Sequence, residues 1–335
     1  MTPRSLQSPR TWCSAVLASA LLATVGLAAS QKTAPGQRTS AAPRQASQSA
    51  QFQKLPLIRS RQNQLLVRAF INGKQAWLGV DSGAPVSAIA VRRREYFRLT
   101  PITPNSNLPA RVQVNEGFSS VAIVKSFRLG DLNLVDQPVV TLDLDNPSRA
   151  ARSNDGQRMD GILGADVLFP LQAVLDCQAQ LLTLKVNPDA AGHPPGVDYR
   201  GFSAVPIQVS DGFNLYVNAT INGTPAKLMV DTGAFATLLH RPFVRHLRIP
   251  MQQTRIVSAA VNLKEKGVHV ARIRRLSIGS VEMVGNQVGV TDLEGLIRRS
   301  LLQGDPPVAG LLGGEILNRN HAIIDFGTRT LYLKK

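Results

Sequence analysis

The chain has 335 residues, 44% hydrophobic and 18% charged, enough to bury a sizeable core and, at roughly 150 residues per domain, to form about two domains. Its 26 glycines, 21 prolines and two cysteines exclude a collagen-like or wholly disordered chain, a disulfide scaffold and a Cys-based zinc finger. The net charge of +16 suits nucleic acid, anionic lipid or an acidic polymer such as one of the cell envelope, or else a solvated Arg-rich surface, and no aromatic residues are interleaved with the basic ones to stack bases, which argues against specific nucleic-acid recognition.

At the N-terminus, Arg4 and Arg10 precede Ser14–Ala29, a run of mostly small apolar residues, and Ala28-Ala29-Ser30 supplies small residues for cleavage. This is the pattern of a signal peptide over residues 1–30, and it predicts a periplasmic or secreted protein. An uncleaved anchor is the alternative, because nothing from Thr11 to Gln31 is charged; the Ser, Thr and Ala content of that run favours cleavage. Cleavage would leave Cys177 as the only thiol, so the mature fold would hold without an internal disulfide. Residues 31–51, rich in Ala, Ser, Gln and Pro, read as a flexible tether. A second break, rich in Pro and Gly, spans 188–203 and links two segments of similar size, 52–187 and 204–335.

Those segments are copies of each other. Ile71-Asn72-Gly73 returns as Ile221-Asn222-Gly223, 150 positions later, and Leu55-Pro56-Leu57 returns as Val205-Pro206-Ile207 at the same offset. Trp77–Ala84 matches Lys227–Ala234, again at 150. Gly161-Ile162-Leu163-Gly164 then matches Gly310-Leu311-Leu312-Gly313, and Ala173–Asp176 matches Ala322–Asp325, both at 149. Agreement in order and spacing identifies an internal duplication.

Each copy reads as mainly β. Leu65–Ile71 and Leu215–Ile221 are β-prone runs closed by Asn-Gly, the strongest short hairpin signal. The returning strands, Ala76–Val80 and Lys227–Val230, end on Asp81 and Asp231, each opening into a Gly-containing turn. Short helices are expected over Val91–Leu99 and Pro242–Leu247. Asp166 and Glu315 follow the later Gly-rich turns, where a carboxylate favours the positive end of a brief helix.

Asp81-Ser82-Gly83-Ala84 and Asp231-Thr232-Gly233-Ala234, each with its apolar approach strand and later Gly-apolar-apolar-Gly segment, resemble aspartic proteases. The Ala after each Gly is similar to the retroviral-protease-like branch, and the duplicated exported chain resembles the bacterial retropepsin-like aspartyl proteases. The resemblance implies a bilobal acid-protease fold, with two homologous β-barrel-like lobes around a central cleft that unites Asp81 and Asp231 as the catalytic pair. Ser82 and Thr232 would lock the two loops together, and Gly83 and Gly233 would let backbone N–H groups approach the carboxylates, with Ala84 and Ala234 completing the turns. It implies hydrolysis of peptide bonds in a protein or peptide substrate by an activated water, with no metal or cofactor. Both carboxylates lie in one chain, so dimerisation is not required. Position four after each aspartate is Pro85 or Phe235, where relatives commonly carry a small polar residue, so the lobes are expected to differ in how they hold a substrate.

Other readings compete with this one. A non-catalytic peptide-binding protein of the cell envelope would keep the same cleft. Asp176 and Asp325 form a second duplicated pair, but each ends an apolar strand before a tight polar turn, so a hairpin role is expected. Asp160 faces Ala309 in the repeat and belongs to no symmetric pair. Cys177 reads as a small buried residue. His193, His240, His246, His269 and His321 show no metal-ligand spacing and are expected on the surface or in loops. Val112–Ser120 and Val257–Val270 are candidate flaps.

Overall fold

The computed structural model describes residues 51–60, 63–102, 111–114, 117–144, 159–187, 194–210, 212–254 and 268–335. The expected signal peptide, nearly all of the tether and residues 257–267 of the second candidate flap lie outside the described residues. Among the described residues, no helix is long and apolar enough to cross a membrane.

Each copy of the repeat folds as a closed six-stranded barrel. In the first, Leu65–Ile71 pairs with Lys74–Val80, which pairs in parallel with Gly161–Leu163. The ring continues through Ala88–Ala90, Leu132–Leu142 and Gly117–Leu129, and closes where Phe70 and Ile71 meet Arg128 and Phe127. The second barrel repeats this order with Asn214–Ile221, Thr224–Val230, Val308–Leu312, Leu238–His240, Val281–Thr291 and His269–Ile278. Closure leaves none of these strands as a bare edge.

The Asn-Gly pairs make the expected hairpins. Asn72 and Gly73 have φ of 49° and 79°, and Asn222 and Gly223 have 52° and 87°, the doubly left-handed turn that matches strand twist. The Asn72 side chain also accepts the Ser126 N–H, and Asn222 accepts those of Arg274 and Arg275. Each turn is therefore pinned to the long strand that closes its barrel. Along Leu65–Ile71, Val67, Ala69 and Ile71 point into the barrel core, while Leu66 joins a small outer cluster with Ala90, Leu144 and Met159.

A third, antiparallel sheet joins the lobes, in the order Ser203–Pro206, Thr330–Leu333, Ile323–Asp325, Val174–Asp176, Leu181–Lys185, Phe52–Arg59. At its centre Leu175 pairs with Ile324, its own counterpart in the repeat, which marks a pseudo-two-fold axis. The duplicated prolines lie where the chain passes from this sheet to a barrel. Phe52–Pro56 pairs with the inter-lobe sheet, whereas Leu57–Arg59 pairs with the first barrel. Pro206 ends its inter-lobe strand and Gln208–Ser210 joins the second barrel. A residue without an N–H fits a position where one ladder is exchanged for another.

One expectation needs correction. Val91–Leu99 is not a helix: only Val91–Arg93 forms a 3-10 turn, and irregular turns follow to Arg98, whose φ is 50°. The segment bends because Phe97 is drawn fully into the core while Arg93 turns to Asp160, with Nε 2.7 Å from Oδ1. The second segment does form a helix, Arg241–His246, with proline in its first turn.

The Arg93–Asp160 pair also accounts for the unmatched Asp160. Its Oδ2 accepts the Trp77 N–H at 3.0 Å, and the Arg93 guanidinium lies 3.8 Å from the Tyr96 ring centroid. The repeat places buried Phe243 and Ala309 at the two corresponding positions, so one lobe holds an ion pair where the other holds two buried apolar residues. Asp160→Ala should destabilise the fold by roughly 1–3 kcal/mol, because it strands a cation and a backbone donor in partly buried surroundings. Arg93→Phe/Asp160→Ala, which copies the second lobe, should recover most of that loss. Urea unfolding of the three proteins checks both outcomes.

Candidate active site

Asp81 and Asp231 stand at the ends of central barrel strands. Their N–H groups donate to Leu163 O at 3.0 Å and Leu312 O at 3.1 Å, which carries the parallel pairing one residue beyond each strand. The chain then turns, and Gly83 N donates to Asp81 Oδ1 at 2.9 Å. In the second copy Asp231 Oδ1 accepts from Gly233 N at 2.9 Å and from Ala234 N at 3.0 Å.

Four hydrogen bonds cross between the loops. Ser82 Oγ donates to Val230 O at 2.8 Å and accepts from Thr232 N at 3.1 Å. Thr232 Oγ1 donates to Val80 O at 2.8 Å and accepts from Ser82 N at 3.0 Å. Both hydroxyl residues are buried, with exposures of 0% and 3%. Each hydroxyl thus serves a donor and an acceptor of the opposite lobe, and no polar group is stranded.

This crossing brings the two aspartates together. A Cβ added to Gly83 would lie 2.6 Å from Asp231 Cγ, and one added to Gly233 would collide with the Asp81 carboxyl. Each carboxyl therefore packs against the glycine of the opposite turn, in space that any side chain would fill. Burial raises the pKa of Asp231 well above the usual carboxylate range, and the neighbouring Asp81 charge raises it further; hydrogen bonds from Ala234 and Gly233 oppose the shift. The arrangement favours keeping a proton on the pair above the pH at which an ordinary carboxyl loses it.

The loops rest on a further matched layer. Ser87 donates through both N and Oγ to Asp166 Oδ1, at 2.8 and 2.7 Å, and its Oγ accepts from Gly164 N at 2.9 Å. In the repeat, Thr237 N is 2.8 Å from each Glu315 carboxylate oxygen, and Thr237 Oγ1 accepts from Gly313 N at 3.0 Å. Asp166 and Glu315 do lie in the first turns of Ala165–Leu168 and Gly314–Arg319, but their carboxylates are committed to the loops as well as to the helix ends. Ser87 and Thr237 escaped the sequence reading although a signal existed: both carry a hydroxyl six residues after the aspartate.

One inter-lobe contact breaks the symmetry. Gln64 Nε2 donates to Gly233 O at 3.2 Å, and Arg59 braces the adjoining turn through Asn63 Oδ1 at 2.8 Å and through Cys177 O. The corresponding position to Asn63 is Phe213, whose ring packs 5.3 Å from Phe169 of the first lobe, itself edge-on to Phe326. One lobe reaches across with polar groups and the other with an aromatic ring.

The remaining candidates separate from this centre. Asp176 Oδ1 accepts the N–H groups of Gln178 and Ala179, and Asp325 Oδ1 accepts that of Thr328, so both cap the hairpin turns. Burial pushes the Cys177 thiol up to about 12, which keeps it un-ionised and poorly suited to nucleophilic work. His240 departs from the expected surface position: it is buried, and its Nδ1 accepts the Leu293 N–H at 3.2 Å. In the first candidate flap, Arg111–Val114 pairs antiparallel with Gly117–Ser120, from Arg111↔Ser120 to Val114↔Gly117, and residues 115–116 lie outside the described residues. Among the described residues, no three His, Cys, Asp or Glu side chains gather to hold a metal ion.

The aspartyl protease family profile matches residues 67–167 and 217–316, one match per lobe and together more than half of the chain. The chain belongs to the aspartyl protease family. No curated protein matches it in sequence. Among solved structures it is similar to the aspartic proteinase from Irpex lacteus, at 14% identity and a TM-score of 0.48 over 85% of this chain and 97% of that one. It is also similar to basic 7S globulin from soybean, at 11% identity and a TM-score of 0.42 over 85% and 95%.

Two outcomes follow for stability. Ser82→Ala strands Thr232 N and Val230 O and should cost about 2–3 kcal/mol, whereas Thr232→Ser keeps all four crossing bonds and should cost about 1 kcal/mol for the lost methyl; chemical denaturation measures both. Asp231 holds its proton more tightly folded than unfolded, so its contribution falls as pH rises from about 4 through its raised range. Asp231→Asn should therefore melt a few degrees above the native protein at pH 7 and lose that gain near pH 3, as thermal melts would show.

Proposed function

We propose that this member of the family is an exported aspartic endopeptidase that hydrolyses peptide bonds with a water activated by Asp81 and Asp231. The observation that carries the reading is the apposition of the two carboxyl groups, each against the glycine of the other's turn, with Asp231 held protonated above the ordinary range by burial and by Asp81. Two unit charges about 4 Å apart repel by roughly 4 kcal/mol at an effective dielectric near 20. That is about three pKa units, enough for the pair to keep one proton while losing the other.

A pair in that state supplies a base and an acid at once. The ionised carboxylate takes a proton from water as its oxygen attacks the peptide carbonyl carbon, and the protonated carboxyl gives its proton to the carbonyl oxygen. The tetrahedral diol then collapses: one carboxyl gives a proton to the leaving amine nitrogen, the other, ionised, takes a proton from a diol hydroxyl, and the C–N bond breaks as the new carboxyl C=O forms. No covalent intermediate with the enzyme forms. The pair titrates as a unit, so neither step belongs to one aspartate alone. Gly83 N and Gly233 N, directed at their own carboxylates, and the Ser82–Thr232 crossing hold both groups in register.

The substrate class is protein or peptide, and the N-terminal pattern over residues 1–30 supports its being met outside the cytoplasm. Asp81→Asn and Asp231→Asn should each lower kcat on a cleaved peptide by about 10²–10⁴-fold or more, and the native protein should show a bell-shaped pH profile. Substantial cleavage by either single variant would defeat a shared dyad. Peptide binding without cleavage by the folded native protein would replace the enzyme with a peptide-binding relative.

A further inference from the structure

The loops that carry the two aspartates match in backbone but not in what they present to solvent. In the first, position four after Asp81 is Pro85, whose carbonyl accepts the Asp166 N–H at 3.2 Å. In the second it is Phe235, 59% exposed. Among the described residues the other exposed large hydrophobics are Val91, Tyr96, Val135 and Val284, and none of these lies in an aspartate loop. Tyr96 is moreover sandwiched by cations, with Arg93 at 3.8 Å and Lys74 at 4.4 Å. Phe235 has no aromatic or cationic partner among the described residues.

The backbone around Phe235 is held fast on both sides. Ala234 N donates to Asp231 Oδ1 at 3.0 Å, while Ala234 O accepts from Gly314 N at 2.8 Å. On the other side Ala236 abuts Gly313, and Thr237 N is gripped by Glu315. A bulky apolar ring is thus displayed from a rigid turn, one residue from a direct ligand of the dyad. An exposed aromatic on a fixed backbone loses little entropy when it is covered, and such residues dominate recognition energetics.

We propose that Phe235 is a specificity-determining residue: its ring packs against an apolar side chain of the substrate on the side of the scissile bond that the Asp231 loop flanks. The opposite side, flanked by Pro85, lacks this contact. The inference rests on the peptide-hydrolysis reading, but it concerns binding, and binding can be measured without hydrolysis. Because the pseudo-two-fold axis exchanges the two loops, it also exchanges the two sides of a bound peptide. Moving the ring to the other loop should therefore move the preference to the other side.

The test uses a peptide library varied at the positions flanking the cleaved bond, with the native protein, Phe235→Ala, and the swap Pro85→Phe/Phe235→Pro. The native protein should favour a large apolar residue on one side only. Phe235→Ala should lose about 10-fold to 100-fold in kcat/KM on those apolar-bearing peptides, while the pH profile keeps its shape because the substitution removes no charge and no hydrogen-bonding side chain. The swap should transfer the preference across the scissile bond. Circular dichroism melts verify that each variant is folded; truncating a ring this exposed leaves the core intact. An unchanged cleavage preference in Phe235→Ala overturns the proposal. If the native protein cleaves nothing, the hydrolysis reading fails alone, and fluorescence anisotropy takes over as the readout. Labelled library peptides are then titrated with Asp81→Asn and with Asp81→Asn/Phe235→Ala. Weaker binding of only the apolar-bearing peptides by the double variant upholds the role of Phe235, and equal binding overturns it.

Discussion

The structure turns on holding two carboxyl groups together in a place where water and charge separation would both keep them apart. Burial and mutual repulsion act in the same direction on Asp231, so the native state carries an electrostatic strain that the surrounding backbone must resist. The resistance is supplied by the Ser82–Thr232 crossing, in which every donor finds an acceptor across the lobe boundary. Neither loop can retreat without breaking bonds that have no solvent replacement, since both hydroxyls are buried. Beneath them, Asp166 and Glu315 fasten the same loops to short helices, so the crossing is built on a stiff floor.

Duplication explains why the frame is symmetric, and the differences between the copies show where symmetry was dispensable. The hydroxyls at 82 and 232 have the same bonding pattern in both lobes, and those at 87 and 237 each accept the N–H of a glycine in the later turn. Away from the aspartates the chemistry diverges. Arg93 and Asp160 are replaced by the buried apolar residues Phe243 and Ala309, so the ion pair of one lobe has no charged counterpart in the other. The arms that cross the lobe boundary diverge similarly, with Gln64 capping a carbonyl on one side and Phe213 packing on Phe169 on the other.

Much of this was legible in the sequence because the repeat supplied a second witness for each local signal. Asn72-Gly73 alone is a hairpin hint; with Asn222-Gly223 at the same offset it marks the hairpin that begins each barrel. The turn roles of Asp176 and Asp325 were readable for the same reason. The inter-lobe sheet was not. Its central strands, such as Val174–Asp176 and Ile323–Asp325, are three residues long, too short to show alternation, and their pairing joins positions 149 apart. The supposed helix at Val91–Leu99 failed because Arg93 and Phe97 answer to tertiary partners, a polar one and an apolar one, that no local pattern reveals. His240 misled for a related cause: a lone histidine gives no sign of whether it will be buried, and here Leu293 N–H satisfies it. Gln64 lies outside the matched motifs, and its contact with Gly233 crosses 169 positions.

The central pairing of Leu175 with Ile324 has a consequence for timing. Each barrel closes through pairings within its own copy of the repeat, whereas the centre of the sheet between the lobes must wait for a strand of the other copy. Thr330–Leu333 pairs with Ser203–Pro206 and with Ile323–Asp325, so the seam needs strands that follow the second barrel along the chain. A chain still being made carries Asp81 in a lobe whose partner aspartate has not yet docked, and a lone carboxyl there has no second group with which to share a proton. The fold thereby separates the moment at which the first lobe becomes compact from the moment at which the two-carboxylate centre exists, and a nascent chain passes through that interval without a complete centre.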